Sequence, residues 1–399
     1  MRILHTSDWH LGRSFHRVGL LEAQAQVLDH LVEVARAERV DAVVVAGDVY
    51  DRALPAVDAV ELLDDVLDRL VAAGVTVLVT SGNHDSAQRL GFGARRSARV
   101  GLHVRTRPED AAVPVLLEDR HGPVALYGVP YLEPALVADR LGVPRTHEAV
   151  LGAVGDTVRA DLATRPSATR SVLVAHALVT GGQGSDSERD IAVGGVAGVP
   201  LGVLAGVDYV ALGHLHGRQR VTERARYSGS PLAYSFSEHR HTKGHWLVEL
   251  GRRGVERVDP VDAPVPRPLA VLRGTLDDVL SDRRHARAEQ AWCQVTLTDA
   301  ERPAEPMERL RRRFPHTLQL LFEPVGGVAD PRSYAQRVQG LDDLDLCCGF
   351  LAHVRRRSAS EEERAVLAAA LEQHRLDEAG GGARRQLDDD GLSGVEGAA

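Results

Sequence analysis

Cysteine is nearly absent from this chain. Three residues in 399, Cys293, Cys347 and Cys348, cannot build a disulfide framework, so a reducing compartment is expected. The adjacent Cys347 and Cys348 read as a buried structural pair. Aromatic residues are also scarce, at 4%, so core volume must come from Val, Leu and Ala within the 44% hydrophobic fraction. With 26% charged residues, the composition is that of a folded chain and excludes global disorder. No run approaches the roughly 20 apolar residues that cross a bilayer, and MRILHTSD carries no apolar leader; the expectation is a cytoplasmic protein with no membrane contact. Excess positive charge is missing as well, the formal net charge being −8. That excludes a nucleic-acid binder held by bulk charge alone. It leaves open one that meets phosphate through bound metal ions and local arginines.

What is present is a set of short Val- and Leu-rich runs, each ending in a polar cluster: RILHTSDWH, DAVVVAGDVYD at 41–51, VTVLVTSGNHD at 75–85, SVLVAHA at 171–177 and VDYVALGHLH at 207–216. Apolar on both faces, they read as strands of a sheet covered by helices. The segments 20–40 and 56–74 carry apolar residues at helical spacing, the second stopping at Gly74 as a C-cap. Strand, helix, strand, helix, strand is α/β organisation. RYSGSPLAYSF and HWLVELG suggest two further strands that close this domain near residue 260. DPVDAPVPRP at 259–268 reads as a linker. Residues 269–325 suggest a small α+β unit with strands LAVLRG, QVTLTD and TLQLLFEP and helices around 277–288 and at MERLRRRF. Residues 331–375 read as helical, with Ser360 and Glu363 as a capping box. The Gly- and Asp-rich stretch from Gly380 reads as disordered. The expected domains are therefore 1–260, 261–330, 331–376 and a tail at 377–399.

Asp8, His10, Asp48, Asn83, His84, His176, His214 and His216 all fall just after the apolar part of a strand. In open α/β sheets the ligand crevice lies outside the carboxyl ends of the strands. Oxygen and nitrogen donors without Cys suit Mn²⁺, Fe or Zn²⁺ better than a thiolate-bound structural zinc. Eight groups exceed the needs of one ion. Two ions roughly 3.5–4 Å apart sharing a carboxylate would use them, orienting a water and stabilising a phosphoryl group.

The ordered set DxH, GD, GNHD, H, GHxH resembles the calcineurin-like metallophosphoesterases. MRILHTSDWHLGR, GDVYDRALP, GNHDS, SERDIAVGG, GHLH and YSGSPLAYSFSE resemble, within them, the SbcD family, nuclease subunits of bacterial SbcCD complexes. The resemblance implies a β-sandwich flanked by helices, a small capping domain for DNA recognition at 261–330 and C-terminal helices at 331–376 that bind the partner. It implies that Asp8, His10 and His216 hold one metal, that Asn83, His176 and His214 hold a second, and that Asp48 bridges them. His84 would be catalytic, acting on the scissile phosphate. The ions implied are two Mn²⁺. The activity implied is 3′-to-5′ double-strand exonuclease and single-strand or hairpin endonuclease action in DNA repair and recombination. An SbcC-type coiled-coil ATPase and a homodimer within a heterotetramer are implied as partners. GGQGSD at 181–186 lacks the lysine of a phosphate-cradling loop, so ATP must be used by that partner.

Two other functions compete: another calcineurin-like phosphoesterase acting on nucleotides or phosphoproteins, and a non-catalytic DNA-end scaffold. Around the site, His5 reads as structural, Trp9 as packing, and Asp51 has no assigned role. Asp85 reads as orienting His84 or a ligand histidine. SEHRHTKGH, with His239, His241 and His245, reads as a solvated turn. Arg311, Arg312 and Arg313 fit a DNA contact and an exposed helix face equally well.

Overall fold

The computed structural model describes residues 1–188, 198–325, 342–355 and 357–374. Its chain divides into two compact units, Met1–Ala270 and Val271–Ala399. The end of SERDIAVGG, the stretch 326–341 and the tail from 375 lie outside the described residues.

The first unit is built on β1 (Arg2–Thr6), a short hairpin of β2 (Ser14–Phe15) and β3 (Val18–Gly19), β4 (Ala42–Ala46), β5 (Thr76–Thr80), β6 (Leu102–Arg105), β7 (Val115–Asp119), β8 (Gly122–Val129), β9 (Arg170–His176), β10 (Tyr209–Gly213), β11 (Gln219–Arg220), β12 (Ala225–Tyr227), β13 (Gly244–Gly251) and β14 (Gly254–Asp262). Two six-stranded sheets result, ordered β14-β13-β1-β4-β5-β6 and β11-β12-β10-β9-β8-β7. In the first, β1, β4, β5 and β6 run parallel and β13 joins β1 antiparallel. In the second, β8, β9, β10 and β12 run parallel.

The doubly apolar strands have a direct structural cause. In AVVVA, Ala42, Val44 and Ala46 point into the core between the sheets. Val43 and Val45 point the other way, against helices α1 (Leu21–Ala37) and α2 (Val57–Ala72). In β9, Val172 and Val174 face the inter-sheet core, while Leu173 and Ala175 face a third apolar layer with helices Pro134–Leu141 and His147–Ala163. Each fully buried Val or Leu contributes about 1.5–3 kcal/mol. The result is a helix, sheet, sheet, helix sandwich, the α/β class expected.

Some local expectations are revised. Of RYSGSPLAYSF only Arg226 and Tyr227 are in a strand, the end of Ala225–Tyr227; residues 228–235 are irregular. The linker is shorter than its prolines suggest, because Asp259–Asp262 complete β14, an edge strand that tolerates Pro260. Gly74 sits just past the end of α2 with φ +79°, the left-handed position expected of it.

The second unit carries a three-stranded sheet of β15 (Leu269–Gly274), β16 (Trp292–Leu297) and β17 (Thr317–Phe322). The expected 277–288 helix breaks at Asp282 into Leu276–Ser281 and a 3-10 segment, Arg283–Gln290. In the helix Pro306–Arg313, Arg312 pairs with Glu308, Arg313 pairs with Glu289 and donates to the Leu280 carbonyl, and Arg311 donates to the Thr317 carbonyl. The basic run is engaged within its own unit. Two helices follow, Asp343–Arg355 and residues 361–374. The Ser360 side chain accepts from the Glu363 amide, and the Glu363 carboxylate accepts from the Ser360 amide, completing the capping box. Cys347 and Cys348 are half-buried, so they are not the buried pair expected. Among the described residues no helix is long and apolar enough to cross a membrane.

Candidate metal centre

The carboxyl ends of β1, β4 and β5 in one sheet and of β9 and β10 in the other deliver every expected site residue. Asp8 and His10 follow β1, Asp48 follows β4, Asn83 and His84 follow β5, His176 closes β9, and His214 and His216 follow β10. The turns are tight. Asp8, His10, Asp48 and His214 all have positive φ, between 45° and 109°, a conformation uncommon for non-glycine residues and most accessible to Asn, Asp and His. Gly47 lets the sheets close here: its φ is +82°, and a Cβ on it would overlap the His176 ring.

Three groups of potential ligands have donor atoms within 4.8 Å of one another: Asp8, His10 and His216; His10, Asp48 and His84; Asp8, Asp48 and His176. Asp48 Oδ2 lies 3.6 Å from His10 Nε2 and 3.6 Å from His176 Nε2, between the first and third groups. Asn83 joins through its Oδ1, 2.9 Å from His176 Nε2. His214 stands differently. Its backbone N–H donates to Asp8 and its ring centroid lies 5.4 Å from that of His176, but it belongs to none of the three groups. His84 does belong to one, although the sequence reading kept it apart from the ligands.

The donor set fits divalent cations. His10 Nε2 and His216 Nε2 face each other at 3.1 Å. The buried His10 Nδ1 and Asn83 Nδ2 have no hydrogen-bond partner. Burial and the nearby Asp48 hold the Asp8 carboxyl well above its usual range. Burial and the neighbouring rings push His10 well below its usual value, and burial brings His176 down to about 3. Neutral imidazoles and crowded carboxylates are the ligand forms that cations stabilise.

Around these groups lies a shell that sequence reasoning assigned differently or passed over. Asp85 does not orient a histidine. Its carboxylate accepts from the backbone N–H groups of Gly82, Val49 and Tyr50 and so ties the GDVY turn to the GNHD turn. Burial and Asp48 raise it to about 7 against those three donors. His84 is held instead by its own Nδ1, 2.8 Å from the Asp51 carbonyl, and by its amide, which donates to Asp48 Oδ1 at 2.9 Å. The Asp51 carboxylate lies 3.7 Å from His10 Nδ1 and 3.5 Å from Arg13. Gln24, on α1, donates to the carbonyls of Trp9 and His10 and accepts from Gly12, pinning the first turn. A glutamine one helical turn before Val27 and Leu28, on the apolar face of α1, was the legible signal for it. Trp9 is packing, as expected, with its indole N–H on Thr6 Oγ1. His5 is structural, between the Tyr209 hydroxyl and the Leu212 carbonyl. SEHRHTKGH is a solvated turn only over residues 239–242, where His239 and His241 are exposed; Glu238, Lys243 and His245 are buried.

Gly82 is packed so closely that an added Cβ would overlap Asp48 Oδ1 and its backbone N. Gly82→Ala therefore displaces Asp48, and misplacing a reacting geometry by about 1 Å costs about 10²-fold. A drop of that size in kcat/KM for a phosphodiester, in a variant with an unchanged circular-dichroism spectrum, is the expected result.

The sandwich and its Asp/His centre define a metallophosphoesterase. Residues 1–218 match the family described as "Calcineurin-like phosphoesterase". The chain belongs to that family, and its first unit is a metal-dependent phosphoesterase domain. Residues 265–376 match a second family, named SbcD_C and described as "Type 5 capsule protein repressor C-terminal domain". Among solved structures the chain is similar to TT1561 of Thermus thermophilus, at 16% identity over 65% of this chain and 98% of that one, TM-score 0.39. It is also similar to a dimetal phosphatase from Danio rerio, at 16% identity over 66% and 99%, TM-score 0.36.

Proposed function

We propose that this chain is the nuclease subunit of an SbcCD-type complex, hydrolysing DNA phosphodiesters with two Mn²⁺ ions. The observation that carries the reading is the pairing of the Asp/His centre with a C-terminal region matching SbcD_C. A bound ion pair supplies charge to offset that developing on the phosphoryl group and acidifies a water. Asp8, His10 and His216 would hold one ion and Asn83, His176 and His214 the other, with Asp48 shared between the two sets. His84, its Nδ1–H held by the Asp51 carbonyl, would present Nε2 to the phosphate, where the imidazolium form, with both ring nitrogens protonated, would stabilise the transition state or protonate the leaving oxygen. Residues 261–330 recognise DNA in this reading, 331–376 bind an SbcC-type ATPase, 377–399 form a tail, and the subunit works as a dimer. Exposed apolar residues on the two C-terminal helices, Phe350 and Val366, support a partner there. The test is cleavage of labelled duplex and labelled hairpin DNA with Mn²⁺, with and without EDTA. Metal-dependent 3′-to-5′ shortening and hairpin opening are expected. Hydrolysis of small nucleotides or phosphoproteins with DNA left intact would instead favour another phosphoesterase of the family.

A further inference from the structure

The chain has 48 basic residues counting Lys and Arg, and every one except Lys243 is arginine. That single lysine is 5% exposed. Its ammonium donates to three acceptors: the His216 carbonyl at 2.8 Å, Ser230 Oγ at 2.9 Å and Glu238 Oε2. Three donors on a compact head meet three acceptors, an arrangement the planar guanidinium fork does not reproduce. Glu238, 1% exposed, places its other oxygen, Oε1, within reach of the Ser185 and Ser187 hydroxyls and 3.6 Å from His216 Nδ1. Ser187 Oγ lies 2.5 Å from that same Nδ1. The His216 amide donates to Glu188 Oε1 at 2.7 Å. His216 is thus held at its amide, its carbonyl and its Nδ1, which leaves Nε2 facing His10 Nε2.

We propose that Glu238, anchored by Lys243, is a positioning residue that fixes His216 as the Nδ1–H tautomer and so presents its Nε2 lone pair to a divalent cation. This rests on the metal-centre reading above. The Ser187 hydroxyl donates to the carboxylate, so its oxygen accepts from His216 and the ring proton belongs on Nδ1. Lys243 supplies the charge that keeps Glu238 an acceptor inside the protein. Partners of this kind set the orientation and basicity of ligand histidines, and losing one typically costs about 10–100-fold in metal affinity.

The experiment compares wild type, Glu238→Gln and Ser187→Ala in the full chain, by Mn²⁺ titration followed by electron paramagnetic resonance and by ¹⁵N-histidine NMR of the metal-free protein. Wild type is expected to bind two ions and to show His216 as the Nδ1–H tautomer. Glu238→Gln is expected to weaken one of the two ions by about 10–100-fold, to leave the other unchanged, and to mix the His216 tautomers. If Glu238→Gln does not fold, Ser187→Ala, whose side chain lies in a half-buried loop, carries the test with the same signature at smaller size. Two full-affinity ions and an unchanged tautomer in a folded variant overturn the positioning role and leave the metal centre standing. A wild type that binds no Mn²⁺ overturns both.

Discussion

His84→Ala is expected to lower the Mn²⁺-dependent rate of phosphodiester cleavage by about 10²–10⁴-fold, the range a positioned acid–base group contributes, or about 3–5 kcal/mol of barrier. Both ions should still bind. The asymmetry follows from how His84 is attached. Its amide, which donates to Asp48 Oδ1, survives the substitution, so the carboxylate keeps that partner. Only the ring is lost, together with its Nδ1 contact to the Asp51 carbonyl.

His84 also forms a group with His10 and Asp48 whose donor atoms are close enough to share an ion. Titrating Mn²⁺ into the variant separates the two roles. Two ions bound and cleavage lost assign His84 to the phosphate. One ion bound makes it a ligand and moves the acid–base role elsewhere. Cleavage within about threefold of wild type would remove His84 from the chemistry altogether. A DNA-end scaffold would keep its end binding through this substitution, and wild type would then show no cleavage to lose.

Much of this architecture was legible because it is written in local patterns. RILHT, DAVVVA and VTVLVT read as strands covered on both faces because their Val and Leu side chains pack both between the sheets and against α1 and α2. The site clusters read as clusters because each sits at, or within a few residues of, the end of its strand. The hairpin of β7 and β8 and the helix His147–Ala163 went unread; in the helix, Gly152 and Gly155 dilute the apolar periodicity, and Gly155 is needed for close approach to the Val203 carbonyl. The irregular 228–235 stretch looked like a strand because its residues suit one. Its backbone is satisfied outside a strand ladder instead: the Ser230 amide donates to the His216 carbonyl, Ser230 Oγ donates to the Leu232 carbonyl, and the Tyr234 amide donates to Glu238. Lys243 looked like part of a polar turn for a related reason. Its burial depends on Glu238 and on the His216 carbonyl 27 residues back, a coincidence that no window of sequence displays.

The second large effect is acid unfolding of the metal-free first unit. His5 and His245 are buried without exposure, and burial brings each down to about 3 from an ordinary 6.5. The unfolded chain takes up a proton on each near pH 6.5, while the folded chain refuses it until about pH 3. Below 6.5 the unfolded state therefore binds more protons, and stability falls with falling pH through the window from 6.5 to about 3. Each group costs up to about 1.4 kcal/mol per pH unit there. Two groups acting together remove about 5 kcal/mol by pH 4.5, comparable to the whole stability of a marginal domain. Asp119, held low by Arg170 and the chain's amino group, loses its contribution only below its ordinary 3.8, so its window lies lower. His245 is the cleaner probe, because neither of its ring nitrogens has a partner. His245→Leu removes a titrating group without breaking a hydrogen bond. It should leave stability at pH 7 equal or higher and move the acid midpoint, followed by tryptophan fluorescence in EDTA, down by about half a pH unit or more. A midpoint unchanged from wild type would mean that acid opens this unit elsewhere, with the buried histidines of the metal centre, His10 and His176, next in line.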